Sequence, residues 1–144
     1  MITDKLLRVS DAQAVTTTAV STDTVDLSVA RDIGEGGDLY MNFAMTEAFA
    51  GGTSTNFEII IADNAALSSN VVVIGASGAI VTADLTLGKN VAVRLNPQIA
   101  SLGKRYLGAR YTVSGTNSAG KVTADMVMDV QDGKKFYASG FTVV

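Results

Sequence analysis

Hydrophobic and polar residues alternate with a period of two along much of the chain. This alternation is typical of a β-strand that buries one face and exposes the other. An unbroken apolar run at residues 71–74 predicts a strand buried on both faces, and residues 6–20 and 141–144 are weaker strand candidates. The apolar positions of the predicted strands are Val25, Leu27 and Val29; Leu39, Met41, Phe43 and Met45; Phe57, Ile59 and Ile61; Val91, Val93 and Leu95; Leu107, Ala109, Tyr111 and Val113; and Val122, Ala124, Met126, Met128 and Val130.

Turn-forming residues separate these strands. Asp132-Gly133 predicts a hairpin turn, and Pro97 is expected to end a strand. Only two single helical turns are predicted, at residues 63–67 and 83–87. Short strands without long helices between them predict one all-β domain, either a sandwich or a barrel. Glycine-rich or polar turns are expected at residues 34–37, 51–52, 75–78, 88–90 and 114–117.

Composition removes several classes of chemistry. The chain contains no Cys and no His, which excludes thiolate nucleophiles, disulfides and a Ser-His-Asp triad. The net charge of −3 comes without a basic patch, so no nucleic-acid partner is expected. No apolar run reaches the length of a membrane span, and residues 1–5 do not resemble a signal peptide, so synthesis in the cytoplasm and no membrane partner are expected.

Charged residues are sparse, at 17% of the chain against about 25% in typical soluble domains. A surface with few charges suggests that part of it meets another chain. A Thr- and Ser-rich β-surface that faces water explains the same composition equally well.

The acidic and glycine-rich clusters have ordinary structural explanations. Asp125 and Asp129 share a strand face about 13 Å apart, too far for a glycosidase carboxylate pair. They are expected on a solvated face that alternates with Met126 and Met128. Asp23, Asp26 and Asp32 do not have the spacing of a calcium loop, and residues 34–37 lack the Lys and the helix of a phosphate loop. No metal, cofactor or catalytic residue is predicted.

Tyrosines could serve a carbohydrate-binding sandwich, since exposed aromatic rings stack on sugars. The four candidates are Tyr40, Tyr106, Tyr111 and Tyr137. Tyr111 shares a face with Leu107 and Val113 and is expected in the core. Tyr106 and Arg110 lie on the opposite face and are candidate interface residues, because both residue types are enriched at interface centres.

The two ends of the chain are unusually apolar, although chain ends are normally polar. Residues 1–10, with Leu6 and Leu7, and residues 136–144 are therefore candidate arms that contact a neighbouring protomer or another protein. A last strand in the chain's own sheet is the alternative for the C-terminal arm. Its candidate contact residues are Phe136, Tyr137, Phe141 and Val143.

Eight segments, in order, resemble the Bbp16 family of phage capsid cement proteins. They are DAQAVT (11–16), VDL (25–27), ARDIG (30–34), TEAF (46–49), KRYL (104–107), YTVSG (111–115), AGKVTA (119–124) and SGFTV (139–143). The resemblance covers nearly the whole chain and is weakest at residues 65–87. No single segment is specific, and the ordered set carries the resemblance.

The resemblance implies an antiparallel β-sandwich of jelly-roll type, spanning residues 1–144 as one domain. It also implies a non-enzymatic protein on the outer surface of a virion that, as a dimer or trimer, clamps neighbouring major capsid proteins. It implies no cofactor. A carbohydrate-binding sandwich used in host attachment is the alternative, and an enzyme that relies on carboxylates alone is a third hypothesis.

Overall fold

The computed structural model describes residues 3–28, 38–95 and 102–130. Nine strands fill most of this part of the chain, together with two 3₁₀ turns, at Lys5–Leu7 and Thr82–Asp84. The strands are β1 (Arg8–Ala14), β2 (Ala19–Val20), β3 (Val25–Asp26), β4 (Tyr40–Ala50), β5 (Ser54–Ala62), β6 (Val72–Val81), β7 (Asn90–Arg94), β8 (Tyr106–Ser114) and β9 (Ala119–Val127).

The strands form two antiparallel sheets that pack as a sandwich, which confirms the predicted fold class. Sheet I has the order β1-β9-β4-β7, and sheet II has the order β2-β8-β5-β6, with β3 also paired to β8. The pairs β1/β9, β2/β8, β4/β7 and β5/β6 are nested, as they would be in one long hairpin rolled into two layers. The jelly-roll topology stays a prediction, which this nesting supports.

The core between the sheets is built from the alternating positions of the central strands. Phe43 of β4, Phe57 of β5 and Tyr111 of β8 are fully buried, and their ring centroids lie 5.2–6.0 Å apart. Tilted and edge-to-face pairs of this kind are favourable beyond the area that they bury. The Tyr111 hydroxyl lies 2.7 Å from the hydroxyl of Ser10, also fully buried, so the polar atom of the core has a partner. The expectation that Tyr111 belongs to the core is confirmed.

Two strands are shorter than their alternation predicts. β3 contains only Val25 and Asp26, because the chain turns at Ser28, where φ is +56° and the amide bonds back to the Asp26 carboxylate. β9 ends at Val127, and Met128 is 80% exposed. The prediction that Met128 shares a buried face was wrong, because no described strand covers it beyond the end of β9.

The run at 71–74 was also misjudged as buried on both faces. Residues 72–74 begin β6, which is ten residues long and lies at the edge of sheet II, so that Val73 remains 43% exposed. The turn expected at residues 75–78 was also wrong, because β6 continues through them with bulges instead of turning. Residues 63–67 form a turn and residues 82–84 a 3₁₀ turn, close to the predicted helical turns. The predicted turns at 34–37 and 132–133, Pro97 and the strand at 141–144 lie outside the described residues. The described part of the chain has no helix long and apolar enough to cross a membrane.

Four connections meet at one end of the sandwich, which we call the turn end: residues 15–18, 51–53, 82–89 and 115–118. Backbone bonds join them, from Ser118 to Ala50 (2.8 Å), from Thr53 to Ser114 (2.8 Å) and from Thr82 to Thr53 (3.1 Å). The first two bonds link a connection to the end of a strand, and the third links two connections. The turn end therefore holds both sheets in one fixed register.

Asn117 lies at the centre of the turn end and is 2% exposed. Its amide donates to the Thr16 carbonyl (2.8 Å), and its side-chain nitrogen donates to the Val15 carbonyl (3.0 Å). A Cβ at Gly52 would lie 2.3 Å from Asn117 Oδ1, so a glycine is needed where the β4–β5 turn passes this side chain. One polar side chain thus ties the β1–β2 and β8–β9 connections together.

We predict that Asn117→Ala lowers the free energy of unfolding by about 1–3 kcal/mol, because the buried Val15 carbonyl loses its donor. Urea unfolding followed by circular dichroism measures this loss. The exposed neighbour Thr116 provides the control, and Thr116→Ala is expected to stay within about 0.5 kcal/mol of the wild type. Equal stability of the two variants would contradict the role given to Asn117.

Candidate interaction surface at the ion-pair end

The opposite end of the sandwich, which we call the ion-pair end, carries four ion pairs between separate elements. β4 and β8 begin here, at Tyr40 and Tyr106, while β5, β7 and β9 end here. The four pairs are Arg8–Asp125, Arg94–Asp38, Lys104–Asp63 and Arg105–Asp26. Each joins two elements that are separate in sequence, so these four basic residues are neutralised within the chain.

Arg8 and Asp125 form the most buried of these pairs. Antiparallel pairing of β1 with β9 sets the two residues opposite each other, and Arg8 Nε donates to Asp125 Oδ1 at 2.8 Å. The Asp125 side chain is only 5% exposed, and that of Arg8 is 28% exposed. The hydrogen bond to Asp125 raises the pKa of Arg8, which keeps the guanidinium charged. A second bond, from Arg8 Nη1 to Asp11 (3.2 Å), fixes the arginine on the surface side.

Asp125 was expected on a solvated face and is instead 4% exposed, so that expectation was wrong. Successive side chains of a strand point to opposite faces of the sheet. Because Thr123, Ala124 and Asp125 are all buried, both faces of β9 are covered at this point. Arg8 of the edge strand covers the carboxylate. Asp129 lies beyond the end of β9 and is exposed, so the two carboxylates do not share a strand face.

Arg105 and Asp26 form a two-bond pair in which Nε and Nη2 donate to the two carboxylate oxygens, each at 2.8 Å. The guanidinium also lies over the Tyr106 ring, with its carbon 5.2 Å from the ring centroid. Arg105 and then the Ser28 amide lower the pKa of Asp26 to about 2. Lys104, with help from Asn70, likewise lowers the pKa of Asp63. These pairs fasten the β3 end and the β5–β6 connection to the start of β8.

Exposed apolar side chains lie beside the ion pairs. Leu6 is 84% exposed and Leu7 36%, in the 3₁₀ turn that Asp4 caps by accepting a bond from the Leu6 amide (2.9 Å). The β1–β9 register continues this turn towards the end of β9, where Met128 is 80% exposed. We call Leu6, Leu7 and Met128 the apolar group of the ion-pair end. Large exposed apolar side chains at one end of a small domain make that end a candidate interaction site.

The outer face of sheet II holds the predicted interface residues Tyr106 and Arg110. Tyr106 is half-buried and packs with Ile60, Ala62 and Leu67, because the β5–β6 connection folds back over this face. Arg110 pairs with Glu58, which also accepts a bond from Thr112 (3.1 Å). Both residues are thus engaged within the chain, and their role in an interface stays a prediction.

The remaining site predictions divide between described and undescribed residues. Leu6 and Leu7 lie at the ion-pair end, whereas Phe136, Tyr137, Phe141 and Val143 fall outside the described residues. Tyr40 and Tyr106 are half-buried and Tyr111 is buried, so none of the three described tyrosines offers a fully exposed ring to a sugar. Among the described residues, no group of three or more acidic side chains could hold a metal ion.

Sequence reasoning missed Met128 and Arg8. Met128 continues the alternation of β9, and nothing in the sequence shows that the strand stops one residue earlier. Arg8 sits in an apolar stretch close to the chain terminus, and this placement was the available signal that its charge has a partner elsewhere in the fold.

We predict that Arg8→Met costs about 3 kcal/mol of unfolding free energy, because it leaves the Asp125 carboxylate buried without a partner. Arg94→Met is the matched control, since the Arg94–Asp38 pair is 58% and 49% exposed and is expected to contribute less than about 1 kcal/mol. Chemical unfolding at neutral pH compares the two variants. The account is wrong if they lose the same stability.

We also predict that the effect of Asp26→Asn on stability depends on pH. The pKa of Asp26 is depressed in the folded protein, so its pair with Arg105 stabilises above the unfolded-state pKa and is lost as pH falls towards 2. The variant should therefore be less stable than the wild type at pH 6, and the difference should shrink at pH 2. Unfolding curves at both pH values test this. A difference that stays constant with pH, or an Arg105→Met variant with the opposite trend, would contradict it.

Comparison with known protein families places this chain beside one of them. The Bbp16 family model matches residues 9–126. The match runs from the second residue of β1 to the next-to-last residue of β9 and so spans all nine strands. No curated protein matches the chain. Membership of this family suggests a phage-related protein. Since the match covers well over half of the sequence, the chain belongs to the Bbp16 family.

Proposed function

We propose that this chain is a non-enzymatic cement protein of a phage capsid. It binds the outer surface of the assembled shell and stabilises the contacts between neighbouring major capsid proteins. It is made in the host cytoplasm and ends on the outside of the virion. Its partners are the major capsid protein and further copies of itself, without nucleic acid, membrane or cofactor.

The observation that carries the proposal is the apolar group of the ion-pair end. Leu6 and Met128 expose 84% and 80% of their surface on a small domain, where large apolar side chains in water are unfavourable. Leu6 lies within the predicted N-terminal arm, residues 1–10, and Met128 lies eight residues before the predicted C-terminal arm, residues 136–144. Contact with a second protein would remove this surface from water.

The ion pairs beside this group favour such contact. Arg8, Arg94, Lys104 and Arg105 each have a carboxylate partner in the same chain. A partner surface therefore does not have to supply opposite charges. When binding removes water from this end, each of the four basic residues keeps its carboxylate partner. An apolar centre with an internally paired rim suits a largely uncharged patch on a capsid subunit.

The turn end, at the opposite end of the sandwich, also supports the proposed function. Its connections are fastened by backbone bonds and by Asn117, so the sandwich presents the ion-pair end as a pre-organised surface. Less conformational entropy is then lost on binding. A protein that binds only the assembled shell stabilises it by its own binding free energy, and many copies repeat that gain over the shell.

We predict that the Leu6→Ser/Met128→Ser double variant binds undecorated phage heads at least tenfold more weakly than the wild type. Loss of two large apolar side chains from an interface is the physical reason, since about 1.4 kcal/mol corresponds to tenfold in affinity. Co-sedimentation of purified protein with heads that lack it measures the bound fraction at a series of protein concentrations.

Leu87→Ser serves as the control, because Leu87 is 69% exposed but lies in the β6–β7 connection, at the turn end. It should bind like the wild type. Failure of the wild-type protein itself to sediment with heads would refute the cement role. Wild-type binding that the double variant retains would refute only the assignment of the surface.

A further inference from the structure

The longest stretch without a charged residue runs from residue 64 to residue 83. It contains all ten residues of β6, the last strand in the order of sheet II. Exposed edge strands commonly carry lysines or other charges that prevent pairing with another chain. β6 has none, and Val73 and Val81 expose 43% and 51% of their surface.

The other sheet edges in the described part of the chain are short or covered. β2 and β3 have two residues each, and β7 has five. The edge of β1 is covered, since Asp23 donates to the Val9 carbonyl (2.9 Å) and Gln13 Nε2 donates to the Val20 carbonyl (2.8 Å). β6 pairs with β5 on one side, and no described strand pairs with its other side.

The sequence of β6 is nearly the same in both directions. Residues 73–81 read VIGASGAIV, with Ser77 at the centre. When a second copy is laid antiparallel about Ser77, Val73 meets Val81, Ile74 meets Ile80, and glycines meet alanines. A two-fold interface requires this kind of self-complementary surface, in which residue i contacts residue j and residue j contacts residue i.

The burial of the two ends of β6 agrees with this register. Residues directly opposite each other in an antiparallel pair point to the same face of the sheet. Val73 and Val81 are both exposed, whereas Ile74 is 8% exposed and Ile80 packs against the core. The outward valines would therefore meet each other, and the inward isoleucines would meet in the joined core. A register shifted by one residue would oppose outward to inward side chains.

The centre of β6 is small as well as uncharged. β6 contains two bulges relative to β5. One lies between the positions paired with Ile59 and Ile60, and the other between those paired with Asn56 and Glu58. The bulges give β6 more residues than the facing part of β5 and bend it. Gly75, Ala76, Gly78 and Ala79 flank Ser77 there. Small side chains let two bent backbones approach closely, and the flatter ends, with their valines, carry the pairing.

We propose that two copies of this chain associate through β6, antiparallel and centred on Ser77, so that sheet II continues across both. The occupant of this edge is a second copy because only an identical strand has the mirrored order of residues and brings no charge into the pair. This surface lies on the flank of the sandwich, separate from the apolar group of the ion-pair end. It names the surface for the self-association that the proposed function includes, and it does not depend on the shell contact.

The test uses the absence of native cysteines. In the Val73→Cys/Val81→Cys variant, the two thiols of one chain lie opposite Ile60 and Ser54 of β5, about 20 Å apart along the strand, and cannot join to each other. In the proposed pair, each lies opposite the other thiol of the second copy, at a Cα separation of about 4.5–5.5 Å that permits a disulfide. Mild oxidation should convert most of the protein to a covalent dimer on non-reducing gels.

The Val73→Cys single variant is the matched control, because residue 73 of one copy lies far from residue 73 of the other. It should remain mostly monomeric on the same gel. Val81→Lys should convert the wild-type dimer to a monomer in light scattering, while Leu87→Lys should not. The proposal would be overturned if the oxidised double variant gave only monomer. It would also be overturned if the single variant cross-linked to the same extent as the double variant.

Discussion

The hydrogen bonds around Asn117 fix the relation between the two sheets, and the rest of the structure depends on that relation. Asn117 is nearly fully buried and binds the connection that leaves β1, while its neighbour Ser118 binds the end of β4. Sheet I and sheet II are thereby joined where four turns meet. With the register set there, Phe43, Phe57 and Tyr111 are brought together in the core as tilted and edge-to-face pairs.

This arrangement divides the molecule into parts with different physical properties. The turn end is held by backbone bonds, which need particular residues only at positions such as Gly52. The ion-pair end is held by side chains, and it presents large apolar groups next to neutralised charges. The edge at β6 carries no charge, and no strand in the described part of the chain pairs with it. A protein that stabilises a shell needs a rigid body with exposed contact surfaces, and the fold provides that combination.

Much of the fold follows from the sequence, because a period-two pattern is a direct consequence of strand geometry. The positions of β4, β5, β7 and β8 and the burial of Tyr111 were predictable in this way. The burial of Asp125 was not predictable, since it depends on Arg8, which is distant in sequence and adjacent in space. The end of β9 was not predictable either, since Val127 lies opposite Tyr40, where β4 begins. Leu6 and Leu7 could be chosen as contact candidates from their position near the chain terminus, whereas Met128 could not be told from a core methionine.

Hydrogen–deuterium exchange of the free protein and of the protein bound to undecorated phage heads tests the central claim most directly. That claim is that the ion-pair end is the surface that meets the shell. The account predicts slower exchange on binding in peptides that cover residues 4–8 and 126–130, with the turn end, residues 50–53 and 115–118, slow in both states. Protection confined to the turn end, with residues 4–8 unchanged, would contradict it.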